Sequence, residues 1–356
     1  MRLGFIGLGA VVETAYLPAL RRLAPAVEAV LGFDIDPARS PDGVERCASL
    51  DALFAASPDL VLVTTSSVSH LAALEQALAS RAPRIVVEKP VVAELVQIDR
   101  LKALLAPPAA ASRVLALDHW TARSKGLAAG RVGHEWIGAD ERPRFSLADV
   151  ARLEGFLQEP SGFNEAGEPI ALNFATRTPD TRTLRHPDGV ILDIGTHVLA
   201  LMREVVHALG GKDDLALDLV EAKDRLGRPI ATGDLTTAEG KARLEGSLGG
   251  IPVELWLDKY AGPAGGRKGI RIHLRDGRTL DQDMREGKDV IELVDGGRVS
   301  RWQRAGGIYG HCIADQLLGP HAVFQAAPDL VPGMTRRRIA EVESLLRVQQ
   351  ALRGPH

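Results

Sequence analysis

The amino-acid sequence predicts an α/β protein in two parts: a doubly wound parallel sheet, then an α+β domain built on a large, mainly antiparallel sheet. Three observations predict it. Strand-sized apolar runs alternate with helix-sized segments up to about residue 120, as a parallel sheet with crossover helices requires. Beyond that point alternating strands are punctuated by turn pairs, Gly249-Gly250, Asp276-Gly277 and Gly296-Gly297, which mark antiparallel hairpins. The chain has 356 residues, more than one hydrophobic core normally serves.

The elements follow in order. Residues 3–6 form a short apolar run closed by Gly7, as a buried parallel strand should. Residues 10–24 read as a helix with Val11, Ala15, Ala19 and Leu23 about one turn apart, disturbed at Pro18. Strands are expected at 27–33 (ending at Asp34), 59–64, 84–88 and 114–117, with helices at 70–80 and about 93–105. The stretch 158–189 is polar and shows little periodicity, and one helix is expected from near Leu192 to about Leu209. Strands are then expected at 217–223, 241–248, 252–258, 270–274, 290–294 and 298–301, with closing helices at about 308–318 and 334–352. The domain boundary is placed at residue 120: 1–120 as the cofactor domain, and 121–356 for substrate binding and self-association, its last helix free to pack back on the first.

Composition narrows the function. A formal charge of -3, with 45% hydrophobic and 25% charged residues, gives no electrostatic reason to expect nucleic acid or an anionic membrane as partner. The two cysteines, Cys47 and Cys312, are far apart and outside any CxxC spacing, so neither a disulfide framework nor a thiolate metal site is expected, and no metal is assigned. No apolar run is long enough to span a bilayer, and the N-terminus lacks the pattern of a signal peptide. A cytoplasmic location is expected.

The residues that carry chemistry lie at the carboxyl ends of the first set of strands, where open α/β sheets bind ligands. Gly7-Leu8-Gly9-Ala10-Val11-Val12 sits between the first strand and helix. Gly7 permits the tight turn, Gly9 lets the backbone approach a pyrophosphate, and the helix start offers free N–H groups to it. Val12 replaces the third glycine of the usual pattern. Asp34, closing the second strand with Ile35 after it, is placed to accept hydrogen bonds from the adenosine ribose hydroxyls; as an anion it would repel a 2′-phosphate, so NAD is favoured over NADP in a Rossmann unit. The bland alternative makes Asp34 a loop or cap residue. Thr65, Ser66 and His70 follow the strand at 59–64, and Glu88-Lys89-Pro90 follows the strand at 84–88. A lysine ammonium just beyond a buried strand can hydrogen-bond a reacting oxygen.

In the second domain Asp193 and His197 are four apart, so one helix would present them together, the imidazole as general base and the carboxylate orienting it or the substrate. An isolated Asp-x-x-x-His is more often a capping Asp and a packed His. His119 and Trp120, after the strand at 114–117, could meet substrate or pack at the domain junction.

Taken together, Gly7-Leu-Gly9…Tyr16-Leu-Pro18, Asp34-Ile-Asp36-Pro37, Thr65…His70, Glu88-Lys89-Pro90 and Asp193-Ile-Gly195-Thr-His197 resemble, in order, the pattern of the glucose–fructose oxidoreductase/inositol dehydrogenase (Gfo/Idh/MocA) family. The resemblance is strongest over residues 1–120 and at 186–202. It implies NAD(P) at the Rossmann edge, Lys89 as catalytic lysine, and Asp193 and His197 as the family's Asp and His. It also implies a homodimer or homotetramer formed on the open face of the second sheet. Two segments depart from the family pattern: Thr65-Ser66-Ser67 stands for Thr-Pro-Asn, and Asp118-His119-Trp120 resembles the Asp-His-Tyr of hexose-phosphate dehydrogenases. The expected reaction is hydride transfer between NAD and a secondary hydroxyl of a sugar, nucleotide sugar or cyclic polyol. Two other readings of the same scaffold are an NAD-dependent hydrolase or lyase that oxidises its sugar transiently, and a non-catalytic NAD or sugar sensor.

Overall fold

The structure, a computed structural model, describes residues 1–22, 27–124, 136–139, 143–173, 176–180, 184–319 and 322–354. Leu23, the last apolar position of the first expected helix, and parts of the segment 121–185 lie outside the described residues. The chain divides into two compact units, one of residues 1–119 with 308–343, the other of residues 120–307 with 344–356.

The first unit holds six short strands: β1 (Arg2–Ile6), β2 (Ala29–Phe33), β3 (Glu45–Arg46), β4 (Leu60–Val63), β5 (Ile85–Val87) and β6 (Val114–Ala116). They form one parallel sheet in the order β3-β2-β1-β4-β5-β6. The central strands are almost wholly apolar because both faces of such a sheet are covered; every residue of β4 and β5 is buried. The order reverses direction between β1 and β4, which opens a crevice above their carboxyl ends.

The helix after β1 is not regular. Its α-helical part, α1 (Leu17–Arg22), is preceded by a wide π-helical turn at Val12–Tyr16. Pro18 has no N–H to give to the carbonyl four residues back, and a widened turn just before it accommodates that missing bond. Val12 is completely buried there, so the third-glycine position is filled by packing. Near the chain's other end, Thr335 reaches β6: its hydroxyl donates to the Val114 carbonyl (2.7 Å) and accepts from the Ala116 N–H (3.1 Å). Residues 308–343 thereby supply a partner to the edge strand of the parallel sheet.

The second unit carries β7 (Ile137–Gly138), β8 (Val150–Gln158), the small pair β9 (Ser161–Phe163) and β10 (Pro169–Ala171), then β11 (Leu215–Lys223), β12 (Lys241–Leu248), β13 (Ile251–Asp258), β14 (Lys268–Leu274), β15 (Thr279–Arg285), β16 (Lys288–Asp295) and β17 (Arg298–Arg304). Nine of these form a sheet in the order β11-β12-β13-β8-β14-β15-β16-β17-β7, antiparallel at every step except β13 with β8. Register separates its faces sharply. Leu244, Leu255, Gly155, Ile270, Gln282, Ile291 and Trp302 stand opposite one another in one row, and Glu245, Glu254, Glu154, Arg271, Asp281, Glu292 and Arg301 form the neighbouring row on the other face.

Six strands, β3, β7, β8, β9, β10 and β15, are not among those expected from sequence, and for β8 and β15 the physical reason is plain. β8 escapes the alternating pattern because Gly155 interrupts its apolar face. A Cβ at Gly155 would lie 2.2 Å from Val198 Cγ1 and 2.6 Å from Met202 Sδ, so the glycine is where a helix presses onto the sheet. β15 reads as polar because Asp281, Gln282 and Asp283 are buried in it, and Arg271 Nε offsets one of those charges by donating to Asp281 (2.8 Å). The helix expected from Leu192 is also two pieces, Val190–Asp193 and Gly195–Ala208, broken at Ile194 (φ -107°, ψ -20°). Gly195 permits the restart: a Cβ there would already touch Leu257 at 3.0 Å.

Candidate functional site

The candidate dinucleotide-binding residues belong to the first unit. Gly7 leaves β1 with φ +97°, and a Cβ on it would come within 2.7 Å of the Thr65 backbone nitrogen, so backbone twist and close approach both require glycine. Gly9 differs: a Cβ there meets nothing within 4 Å. That open space borders the backbone where a diphosphate would be cradled, and it is the observation that makes these residues fit a dinucleotide. Leu8 is buried against Gly32, whereas Ala10 is exposed and Val11 half-buried at the helix start. These differences separate two roles. Gly7→Ala should lower stability by about 1–3 kcal/mol, while Gly9→Ala should leave the unfolding curve nearly unchanged and weaken NAD binding at least ~10-fold. Thermal unfolding and titration calorimetry on the two variants check this; an unaltered NAD affinity in Gly9→Ala places the diphosphate elsewhere.

Asp34 closes β2 and ties two loops together. Its Oδ2 accepts the Leu8 N–H (2.6 Å) and its Oδ1 the Asp36 N–H (2.9 Å). A carboxylate has about four acceptor positions, so two remain for a ribose diol. Sequence reasoning missed Arg46 nearby: its guanidinium donates to the carbonyls of Asp34 (3.0 Å), Asp36 (3.2 Å) and Cys47 (3.3 Å), fixing the loop that carries Asp34. Ile35 is 91% exposed, an apolar side chain standing free beside the proposed ribose site.

Thr65 and Ser66 follow β4, the first half-buried and the second exposed. His70 is buried, with Nδ1 2.7 Å from the Pro90 carbonyl and Nε2 3.0 Å from the Thr65 carbonyl. A neutral ring donates from one nitrogen only, and full use of both carbonyls takes the protonated ring. Burial pulls its pKa down while the two carbonyls pull it up, and the balance lies below the ordinary histidine value. In either state His70 joins the two loops that carry Thr65 and Lys89.

Glu88 is buried directly after β5. Its Oε1 accepts the Tyr16 hydroxyl (2.7 Å), and its Oε2 accepts the Lys89 backbone N–H (2.9 Å). Burial raises its pKa, partly countered by the Tyr16 hydrogen bond and by Lys89. The widened turn at Val12–Tyr16 thus delivers a hydroxyl that braces Glu88, and Glu88 braces the backbone of the half-buried Lys89. Tyr309, which no motif marks, completes this layer. Its ring meets Tyr16 edge-on (centroids 5.3 Å) and stacks on His119 (4.1 Å, 25°).

The candidate proton-handling residues, Asp193 and His197, belong to the second unit. His197, in the first turn of the helix Gly195–Ala208, is buried and stacks on Trp120 (5.7 Å, 15°). The Arg123 guanidinium lies 4.6 Å from the Trp120 ring and is itself paired with Asp289 at 2.8 Å, both side chains buried. Trp120 therefore orients the imidazole. Asp193 ends the short helix before it, and its Oδ2 is engaged by the Lys259 ammonium. Lys259, too, was absent from the sequence reading.

Among the described residues, no helix is long and apolar enough to cross a membrane. Comparison with known proteins bears on what this arrangement belongs to. No curated protein sequence matches the chain. Residues 1–113 match the Gfo/Idh/MocA family model, described as an oxidoreductase family with an NAD-binding Rossmann fold. Among solved structures, UDP-N-acetylglucosamine 3-dehydrogenase from Acidithiobacillus ferrooxidans is similar at 20% identity, TM-score 0.64, covering 99% of this chain and 98% of that one. A 3-ketoreductase from Actinomadura kijaniata, in complex with TDP-benzene and NADP, is similar at 15% identity, TM-score 0.60, covering 98% and 96%. A putative oxidoreductase from Klebsiella pneumoniae gives 16% identity and TM-score 0.65, covering 99% and 93%. These likenesses establish the fold, and residues 1–113 match the Gfo/Idh/MocA oxidoreductase family model with its NAD-binding Rossmann fold.

Proposed function

We propose that this protein is an NAD-linked dehydrogenase acting on a secondary hydroxyl of a sugar, nucleotide sugar or cyclic polyol. The observation that carries the reading is the open backbone at Gly9 in the same unit as an anchored Asp34 and a Lys89 held by the Tyr16–Glu88 brace. When bound, the nicotinamide supplies the hydride acceptor that turns alcohol into ketone. The chain's own residues handle the oxygen. His197, oriented by Trp120, takes the hydroxyl proton; Lys89 hydrogen-bonds the same oxygen and stabilises the negative charge that develops there. Asp193 orients the substrate or His197.

Asp34 favours NAD over NADP in this reading, because an anchored carboxylate repels a 2′-phosphate. The nucleotide-sugar activity named for the Acidithiobacillus protein supports a sugar-type substrate without fixing which one. The charged row on the second sheet is proposed as the surface of a homodimer or homotetramer, and the cytoplasm as the location. The test is an absorbance assay for NADH over a panel of sugars, nucleotide sugars and polyols, run with NAD and with NADP. NADH formation with one substrate class, and an NAD preference that falls ~10-fold or more in Asp34→Ala, is the expected result. Product without net NADH would instead indicate redox-assisted elimination or hydrolysis, and NAD binding without turnover of any compound would indicate a sensor.

A further inference from the structure

Lys259 directly follows β13, the same kind of strand-end position that Lys89 occupies after β5. Its backbone is fixed on both sides. The Lys259 N–H donates to the Gly240 carbonyl (3.0 Å), and the Tyr260 N–H donates to Asp258 Oδ1 (2.7 Å). Its side chain is only 14% exposed and its ammonium is paired with Asp193, whose side chain is 33% exposed. Enclosure by itself disfavours the ammonium. The Asp193 and Glu159 carboxylates outweigh that penalty and hold the Lys259 pKa above its ordinary value. The charged and titratable groups that act on it are Asp193 from the short helix, Glu159 just after β8, and Tyr260 beside it in the chain.

We propose that Lys259 is a positioning residue for the reaction: by pairing with Asp193 it fixes that carboxylate as an anion in one orientation, ready to accept a hydrogen bond from the substrate or from His197. The catalytic consequence rests on the dehydrogenase reading, whereas the ion pair does not. An enclosed lysine that has lost hydration needs an anion beside it, and the partly exposed Asp193 supplies that anion. Asp193 lies four residues before His197, across the break at Ile194, so fixing one carboxylate oxygen on Lys259 sets how the rest of the side chain faces.

The direction of the pH effect follows. If Asp193 must be an anion to work, removing its cation raises its pKa, and activity is lost at a higher pH as the solution is acidified. In Lys259→Met the acid limb of kcat/KM should move up by about one unit or more, while Lys259→Arg, which keeps a cation, should leave it in place. Lys259→Gln serves the same purpose if the methionine variant does not fold. A merely structural lysine would lower stability or kcat and leave the limb where it was. In parallel, the Asp193 carboxyl is followed through a pH titration by carbon-13 NMR, its resonance identified with Asp193→Asn. An upward shift of its midpoint in Lys259→Met, matched by the limb, supports the proposal. A midpoint or a limb that does not move overturns it. If the wild-type enzyme turns over nothing in the sugar panel, the dehydrogenase reading fails, and the NMR midpoint still decides the ion pair.

Discussion

Replacing Lys89 with Ala should lower turnover by roughly 10²–10³-fold, the loss seen when one donor to a developing oxyanion is removed, while NAD binding persists. Two features make this a test of chemistry. The Lys89 backbone is held by the Glu88 carboxylate and Glu88 by Tyr16, so shortening the side chain leaves the loop's framework in place. The proposed dinucleotide-facing groups, Gly9 and Asp34, follow other strands, β1 and β2, and are untouched. His197→Ala should lower turnover by about 10²–10⁴-fold, the usual contribution of a positioned general base. It removes the imidazole and leaves Trp120 held by Arg123. Steady-state kinetics with the best substrate of the panel, alongside NAD titration, measure both. Retained turnover in both variants removes Lys89 and His197 from the mechanism.

Arg353→Ala should destabilise the protein by about 3–5 kcal/mol, the range for stripping one partner from a buried ion pair. Arg353 and Glu239 are paired with both side chains fully buried, and Arg353 also donates to the Thr237 carbonyl (2.8 Å). Glu239 in turn accepts from Gln349 Nε2 (3.0 Å), and the same amide reaches the Pro187 carbonyl (3.2 Å). The cluster sits under the turn from which the Asp193 helix starts: the Val190 N–H donates to the Glu239 carbonyl (2.9 Å), and a Cβ on Gly189 would collide with the Glu239 carboxylate. Damage here should therefore reach the site as well as the stability. The sign of its pH dependence is fixed. Burial already raises the Glu239 pKa in the folded protein despite Arg353 beside it, and without the guanidinium it rises further. The folded variant then binds a proton more readily than the unfolded chain, so its stability falls as pH rises through the carboxyl range and the deficit shrinks on acidification. Urea unfolding at several pH values follows this. A deficit that grows on acidification contradicts the assignment of Glu239 as the stranded charge.

The parallel sheet was legible because fully buried strands such as Leu60–Val63 and Ile85–Val87 are apolar throughout, and because Gly7, Asp34 and Lys89 sit at strand ends where ligand sites form. The antiparallel domain was legible where Gly-Gly and Asp-Gly turns separate alternating strands. It was hidden where burial is polar or absent from the sequence pattern, at β15 with its buried aspartates and at β8 with Gly155. The two-piece helix around Ile194 was equally hidden, since Asp193 and His197 keep a helical spacing across the break.

Local pattern thus marked, from the sequence alone, the two kinds of sheet, the glycine turn after β1 and the candidate site residues. Only the tertiary structure decided their partners: Tyr16 and Tyr309 around Glu88, Arg46 behind Asp34, Trp120 on His197, and Lys259 on Asp193. The physical reason is that periodicity reports which face a residue turns to the core, while a charge or ring finds its partner across long sequence separations. Tyr16 meets Glu88 72 residues away, and Lys259 meets Asp193 66 residues away, where no local spacing records the encounter.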